Sequence, residues 1–437
     1  MLYCRVPRRF KQIIGSILLA MGLLLIYTQW HPALDTSYLL QTSSPDCRKL
    51  CPYISRLERD KLIFNLAYSI RHFPEFICPQ NFRNLADWIY GWPNQFFENI
   101  ETTTNDGKRI APCLPPGSII YVRTTVINEF FSQIYPYLIH NFVLITGEDD
   151  RSSPTDLSYL NRPDSKIIHW FGQNGQIDVR TNAKFTHIPI GINCYEMADS
   201  IRMVQKKSYR SHSSPPLYGV KDEPSHYINL FDVTERALST SSTNQDHLAL
   251  INFDSDTDGT GLRLRIWLDL CSRDKPIPLI ECIEKPRGVQ ISKILQIYKR
   301  NRHYPFWISP LGNGIDCHRT WEALYLDIIP IVWNSTLNSL YENLPVLIIN
   351  NHTELTESFL RDQLHRIATK KISSLNSSAS TGYYYEKLRN AFWRQMILNK
   401  SRYASNKFNL TVQRRCWRAR SNVLEWARNG PFLKYIQ

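Results

Sequence analysis

The residues best placed to do chemistry lie between Phe306 and Val332. There a glycine-rich turn, Gly312-Asn313-Gly314-Ile-Asp316, runs into Cys317-His318-Arg319-Thr-Trp321-Glu322. Gly312 and Gly314 let the backbone approach a ligand closely, and Asp316 is the expected N-cap of the helix that follows. Unsatisfied N–H groups at such a helix start, together with its dipole, favour an anion. At about 100° per residue His318, Arg319 and Glu322 share one side of the helix, whereas Cys317, Trp321, Leu324, Tyr325 and Ile328 share another. Arg319 can give charge-assisted hydrogen bonds to a phosphate, and Glu322, one turn on, can accept from vicinal ribose hydroxyls. The pattern outlines a nucleotide-diphosphate site. The same residues also suit an exposed Arg319–Glu322 pair, worth about 0.2–0.5 kcal/mol, with His318 as a capping residue. No Gly-Lys-Ser/Thr follows the turn and no complete Gly-x-Gly-x-x-Gly occurs, so neither a Walker loop nor a dinucleotide fingerprint is present.

These residues need a scaffold, and the sequence supplies alternating apolar runs and helical stretches from about Ser118 onward. Strands are expected at Ile119–Val122, Phe142–Ile145, Ile167–Phe171 and Phe185–Ile190, with a helix around Ile127–Ile139. A second series begins at Leu248–Phe253 and continues at Phe306–Ser309, Ile328–Val332 and Pro345–Ile349. Such alternation predicts an α/β fold of parallel sheets built from βαβ units. Between the two series, residues 203–247 are rich in Ser, Thr, Lys and Pro and read as a linker with an inserted loop. The expected organisation is a tail over 1–11, a membrane span over 12–30, a stem over 31–58, one lobe over 59–202, the linker, and a second lobe over 248–437. Two lobes imply a cleft between them for the ligand.

The span is expected because Arg5, Arg8, Arg9 and Lys11 precede an uncharged stretch, Gln12–Trp30, which rises about 28 Å as a helix. Basic residues stay cytosolic, so the body would be lumenal; a cleaved signal peptide, which Gly15, Ser16 and Ala20 keep open, is the competing reading. Asn-x-Ser/Thr sequons at Asn334, Asn351, Asn376, Asn399 and Asn409 fit a body that has crossed the secretory lumen. So do 10 cysteines, of which Cys4 is cytosolic; the odd number left implies at least one free or intermolecular thiol. Cys47 and Cys51 are expected in a structural disulfide. Lys and Arg number 52 against 39 Asp and Glu, a net charge of +13, which favours an anionic partner. A lumenal body excludes nucleic acid as that partner, and the basic Arg414–Arg428 segment reads as one face of an amphipathic helix.

The run Ser309–Val332, followed by Leu337, Leu340-Tyr341-Glu342-Asn343-Leu344-Pro345-Val346 and Leu355-Thr356, resembles the C-terminal lobe of exostosin-like glycosyltransferases. Weaker similarity extends to Phe142–Gly147, Trp170–Asn174, Ile188–Asn193 and Tyr383–Leu388 with Trp393. The resemblance implies a type II Golgi or endoplasmic-reticulum enzyme of GT-B architecture, with two Rossmann-like lobes. It implies a nucleotide-sugar donor, expected to be UDP-linked, on the C-terminal lobe and a glycan or glycoprotein acceptor on the N-terminal one. Inverting transfer without a metal or other cofactor follows from the same likeness. The chain departs from the pattern at Asp327, where such proteins carry Gly and where Asp tolerates the left-handed conformation with mild strain. It also carries the sequon at Asn334, where a glycan would crowd the cleft.

Inverting transfer needs a general base and positive charge over the departing diphosphate. Asp150, just past the Phe142–Gly147 strand, is the expected base, with Glu148 and Asp149 as rivals and His169 ranked below as a core or rim histidine. Arg319 would meet the diphosphate with Gly312, Asn313, Gly314, His318 and Glu322 around it. Arg263 could join it, although Arg263 and Arg265 equally suit solvated positions. Asp254-x-Asp256-x-Asp258 begins like an EF-hand loop but has Arg265 at the twelfth position. It also resembles the metal-holding turn of a GT-A transferase, which makes metal-dependent transfer through Asp254 and Asp256 one alternative. The other is a transferase-like lumenal glycan-binding or partner subunit without catalysis.

Overall fold

The computed structural model describes residues 76–91, 104–154, 157–208, 247–272, 277–284, 291–376, 382–402 and 404. All belong to one compact unit, Arg48–Gln437. The expected tail, span, stem and most of the linker, with Cys47, Cys51, Asn409 and the Arg414–Arg428 segment, lie outside the described residues. Among the described residues no helix is long and apolar enough to cross a membrane.

The β-branched and aromatic runs form two five-stranded sheets in which every pairing is parallel. The first follows chain order: β1 (Trp88–Tyr90), β2 (Ser118–Arg123), β3 (Phe142–Gly147), β4 (Ile167–Gly172) and β5 (Phe185–His187). Both faces of β3 are buried throughout, as the unbroken apolar run requires of a parallel strand covered on both sides. The second contains β6 (Ala249–Ile251), β7 (Ile280–Cys282), β8 (Phe306–Ile308), β9 (Ile329–Trp333) and β10 (Leu347–Ile349), in the order β10-β9-β8-β6-β7. The chain therefore leaves β6 in one direction to form β7 and returns past it to form β8. That reversal opens a crevice at the carboxyl ends of β6 and β8, where open α/β sheets bind ligands.

The principal helices are α1 (Pro79–Leu85), α2 (Cys194–Ser208), α3 (Leu262–Leu270), α4 (Ile291–Asn301), α5 (His318–Tyr325), α6 (Glu357–Asn376) and α7 (Asn390–Lys400). The helix expected around Ile127–Ile139 is broken. A single α turn, Ile127–Glu129, passes into a π turn over Phe130–Ile134 and a 3-10 turn over Tyr135–Tyr137. Pro136, which has no N–H to donate, stands in the last of these turns. The edge strands β1 and β7 are too short to show period-two alternation in sequence.

Strand alternation divides the core. Ala249, Ile251, Phe306 and Ile308 face a cluster completed by Leu360, Leu364 and Ile367 of α6. Leu250 and Trp307 point the other way, into a cluster that also holds Ile119, Val143 and Phe171 of the first sheet and Trp321 of α5. Each such aliphatic side chain contributes about 1.5–3 kcal/mol on burial, so the shared cluster ties the sheets together by apolar burial. Helix α2 packs on α4, where Tyr298 Oη donates to Met197 Sδ at 2.8 Å. Helix α7 packs against α1 and β4, bringing the end of the described chain back to the first sheet. Cys78 is bonded to Cys194 and Cys271 to Cys282; Cys317 is the free thiol among the described residues.

Candidate functional site

The crevice between β6 and β8 is part of a cavity of about 570 Å³, within the range of small-molecule sites. Asn252, Asp254, Thr257 and Arg263 line it from beyond β6, and Gly312, Asn313 and Gly314 from beyond β8. Cys317, His318, Arg319 and Glu322 come from α5, whereas Asp150 enters from the end of β3. Every donor-site residue expected from sequence thus faces one cavity, together with the expected base. Ile294, Ile297 and Tyr298 of α4, with Met197 and Trp307, form an apolar wall that the motif gave no sign of.

Asp316 does not cap α5 as expected. The N-cap residue is Cys317, without a side-chain cap bond. The buried Asp316 carboxylate accepts instead from Ile190 N at 2.8 Å, Cys317 N at 2.9 Å, Tyr341 Oη at 2.9 Å and Trp321 Nε1 at 2.9 Å. Burial raises its pKa, and these bonds oppose the shift. His318 Nδ1 is 2.8 Å from Gly191 O. A carbonyl can only accept, so Nδ1 carries the proton.

Arg263 is neither solvated nor free. It is 6% exposed, with Nε donating to Leu311 O at 2.9 Å and Nη2 to Pro310 O and Cys317 Sγ at 3.4 and 3.2 Å. Nη1 bonds Thr257 Oγ1. Arg263 therefore braces the glycine turn, and a Cβ on Gly312 would stand 2.7 Å from its Nη2. Arg319 is different: it is 9% exposed, and its Nη1 is buried without a hydrogen-bond partner. Burial and the neighbouring Arg263 charge lower its pKa to about 10, which leaves it protonated at neutral pH. Both guanidiniums lie within 6 Å of the Phe253 ring centroid, at 5.7 and 5.6 Å. Asn252 Nδ2 and Trp307 Nε1 are also buried donors without partners, and both residues line the cavity. A buried donor left unpaired costs about 1–3 kcal/mol, so an acceptor oxygen placed against any of these three groups would be favoured.

The three acidic residues after β3 have separate roles. Glu148, at φ +57°, accepts from Tyr121 Oη at 2.9 Å and pairs with buried Arg83 at 3.5 Å. Asp149 Oδ1 accepts from Arg151 N at 2.9 Å. Asp150 is exposed toward the cavity, and its carboxylate has no hydrogen bond to the described residues. His169 is buried outside the cavity, with Nε2 2.8 Å from Thr186 Oγ1.

The Asp254–Asp258 segment is organised as turns. Asp254 Oδ1 accepts from Asp256 N at 3.0 Å, while Asp258 accepts from Thr260 N at 2.8 Å and Arg263 N at 3.0 Å, at the start of α3. Asp254 lines the cavity. Among the described residues no group of three or more His, Cys, Asp and Glu converges as a metal site. Asn334, Asn351 and Asn399 are exposed, Asn376 ends α6, and Asn334 is not among the residues lining the cavity. Asp327 adopts φ +62°, and its carboxylate forms a buried ion pair with Lys371 at 2.8 Å, which sequence reasoning missed.

In comparisons with known proteins, no protein-family model and no curated protein matches the chain.

Proposed function

We propose that this chain is an inverting glycosyltransferase of GT-B architecture. It would be anchored in the Golgi or endoplasmic-reticulum membrane through Gln12–Trp30, with a lumenal body behind a stem. It would transfer a sugar from a nucleotide donor, UDP by preference, to a glycan or glycoprotein. The observation that carries this reading is Arg319: a protonated guanidinium, buried, with Nη1 unpartnered, at the first turn of α5 in the crevice between β6 and β8. A diphosphate supplies the charge and the acceptor oxygens that this group lacks. The oxygen-rich ribose and base of a nucleotide would likewise satisfy Asn252 Nδ2 and Trp307 Nε1, beside the apolar wall of α4.

In the proposed reaction an acceptor hydroxyl oxygen attacks the anomeric carbon from the face opposite the diphosphate. The bond from that carbon to the phosphate oxygen breaks, and the diphosphate leaves with the electron pair, stabilised by Arg319 and the α5 N–H groups. Asp150 takes the hydroxyl proton, a role Glu148 is less free to fill because its carboxylate is held by Arg83 and Tyr121.

The test is the thermal shift of the full-length chain in mild detergent with UDP, and with other nucleoside diphosphates, in excess EDTA. At 100 times its dissociation constant a ligand adds about 2.7 kcal/mol. The expected result is stabilisation in EDTA that Arg319→Met abolishes. Stabilisation only after Mn²⁺ is restored would replace this reading with metal-dependent transfer through Asp254 and Asp256. No stabilisation under either condition would favour a non-catalytic subunit.

A further inference from the structure

The end of β3, which delivers Asp150, and the glycine turn after β8 come from opposite sheets, and one side chain touches both. Asn174 is fully buried, and its Nδ2 donates to Asp149 O at 3.2 Å while its Oδ1 accepts from Asp316 N at 2.7 Å. It holds this position at φ +55°, a conformation that costs most residues energy but which Asn tolerates. Gly314 packs directly on it: a Cβ there would stand 2.8 Å from Asn174 Nδ2. The contact is reciprocated, since the Asp316 carboxylate accepts from Ile190 N at 2.8 Å, on the first sheet's side. Neither hydrogen bond is needed to complete a helix or a strand ladder.

We propose that Asn174 is a positioning residue. By tying Asp149 to Asp316 it registers the two lobes and holds the Gly312–Gly314 turn, before any ligand arrives, in the form that receives the diphosphate. This rests on the nucleotide-sugar reading above. Without the tie the turn keeps its Arg263 brace at Pro310 and Leu311, but its Gly314 end would have to be ordered at the moment of binding, and that cost would appear in affinity.

The experiment is calorimetric titration of the full-length chain with UDP, alongside the unliganded Tm, for wild type, Asn174→Gly, Asn174→Asp, Gly314→Ala and Asn174→Gly/Gly314→Ala. Glycine keeps the left-handed backbone without strain and removes both bonds; aspartate keeps the acceptor and loses the donor. Asn174→Gly should weaken UDP binding about tenfold, equivalent to about 1.4 kcal/mol, with Asn174→Asp between it and wild type. Gly314→Ala should weaken binding in the wild-type background and add nothing once Asn174 is glycine, a coupling that a general loss of stability would not produce. If wild type binds UDP and both Asn174 variants bind within twofold of it, the proposal is overturned while the nucleotide reading stands. Should Asn174→Gly fail to fold, Asn174→Asp and Gly314→Ala decide between the same two outcomes. If wild type binds no nucleoside diphosphate, both readings fall together.

Discussion

Asp327 sits just after helix α5 in the left-handed conformation that glycine adopts most easily, yet Asp327→Gly should destabilise this protein. Two effects oppose each other. At φ +62° glycine removes left-handed strain worth about 1 kcal/mol. The carboxylate, however, is the 2.8 Å partner of Lys371 Nζ, and the two side chains are 6% and 1% exposed. Breaking a buried pair by deleting one partner costs about 3–5 kcal/mol, because the remaining charge has lost its compensation. The pair outweighs the strain, and Asp327→Gly should lose about 2–4 kcal/mol. Lys371→Met should also destabilise, because the buried carboxylate loses its 2.8 Å cation. Removing both charges strands neither, so Asp327→Gly/Lys371→Met should recover most or all of the loss. Urea unfolding monitored by tryptophan fluorescence would rank the four proteins by midpoint and slope. An Asp327→Gly protein at least as stable as wild type would refute the reasoning, as would a double variant no better than the worse single one.

Two further expectations concern the surroundings of the site. Burial lowers the pKa values of His169 and His187 from 6.5 to about 4. Below pH 6.5 the unfolded chain binds protons the folded one refuses, so the stability from keeping these rings neutral is present above 6.5 and lost as pH falls toward 4. The loss is on the order of 3 kcal/mol per ring. His169→Gln and His187→Gln should each flatten the urea midpoint between pH 6.5 and 4; an unchanged slope in the double variant would reject the assignment. If the body is lumenal, expression in a secretory host should give a mass shift removable by peptide N-glycosidase. Asn334→Gln, Asn351→Gln and Asn399→Gln should each reduce it, since all three side chains are exposed; no shift in wild type would count against the lumenal topology.

Local information was enough for much of this. Runs such as Phe142–Ile145 are apolar because both faces of a parallel strand are covered, and the turn Gly312–Gly314 before α5 was visible because glycine and helix spacing are short-range signals. The same spacing placed His318, Arg319 and Glu322 on one side of α5. It sets Cys317 on another side, yet Cys317 lines the same cavity: as the N-cap residue, with extended backbone, it lies outside the helical spacing. Arg263 in a charged sequence suits solvent as well as burial, and only the packed carbonyls of Pro310 and Leu311 decide between them.

The sequence by itself determined the α/β class, most of the strands, and a cationic helix start behind a glycine turn, because each rests on residues within a few positions of one another. Tertiary structure decided the strand order that puts the crevice between β6 and β8, the unpartnered donors of Asn252 and Trp307, and the seam made by Asn174 and Asp316. The seam's bonds join residues 126 and 142 positions apart. Contacts at that separation exist only once both sheets have closed on their shared core, so no periodicity along the chain encodes them.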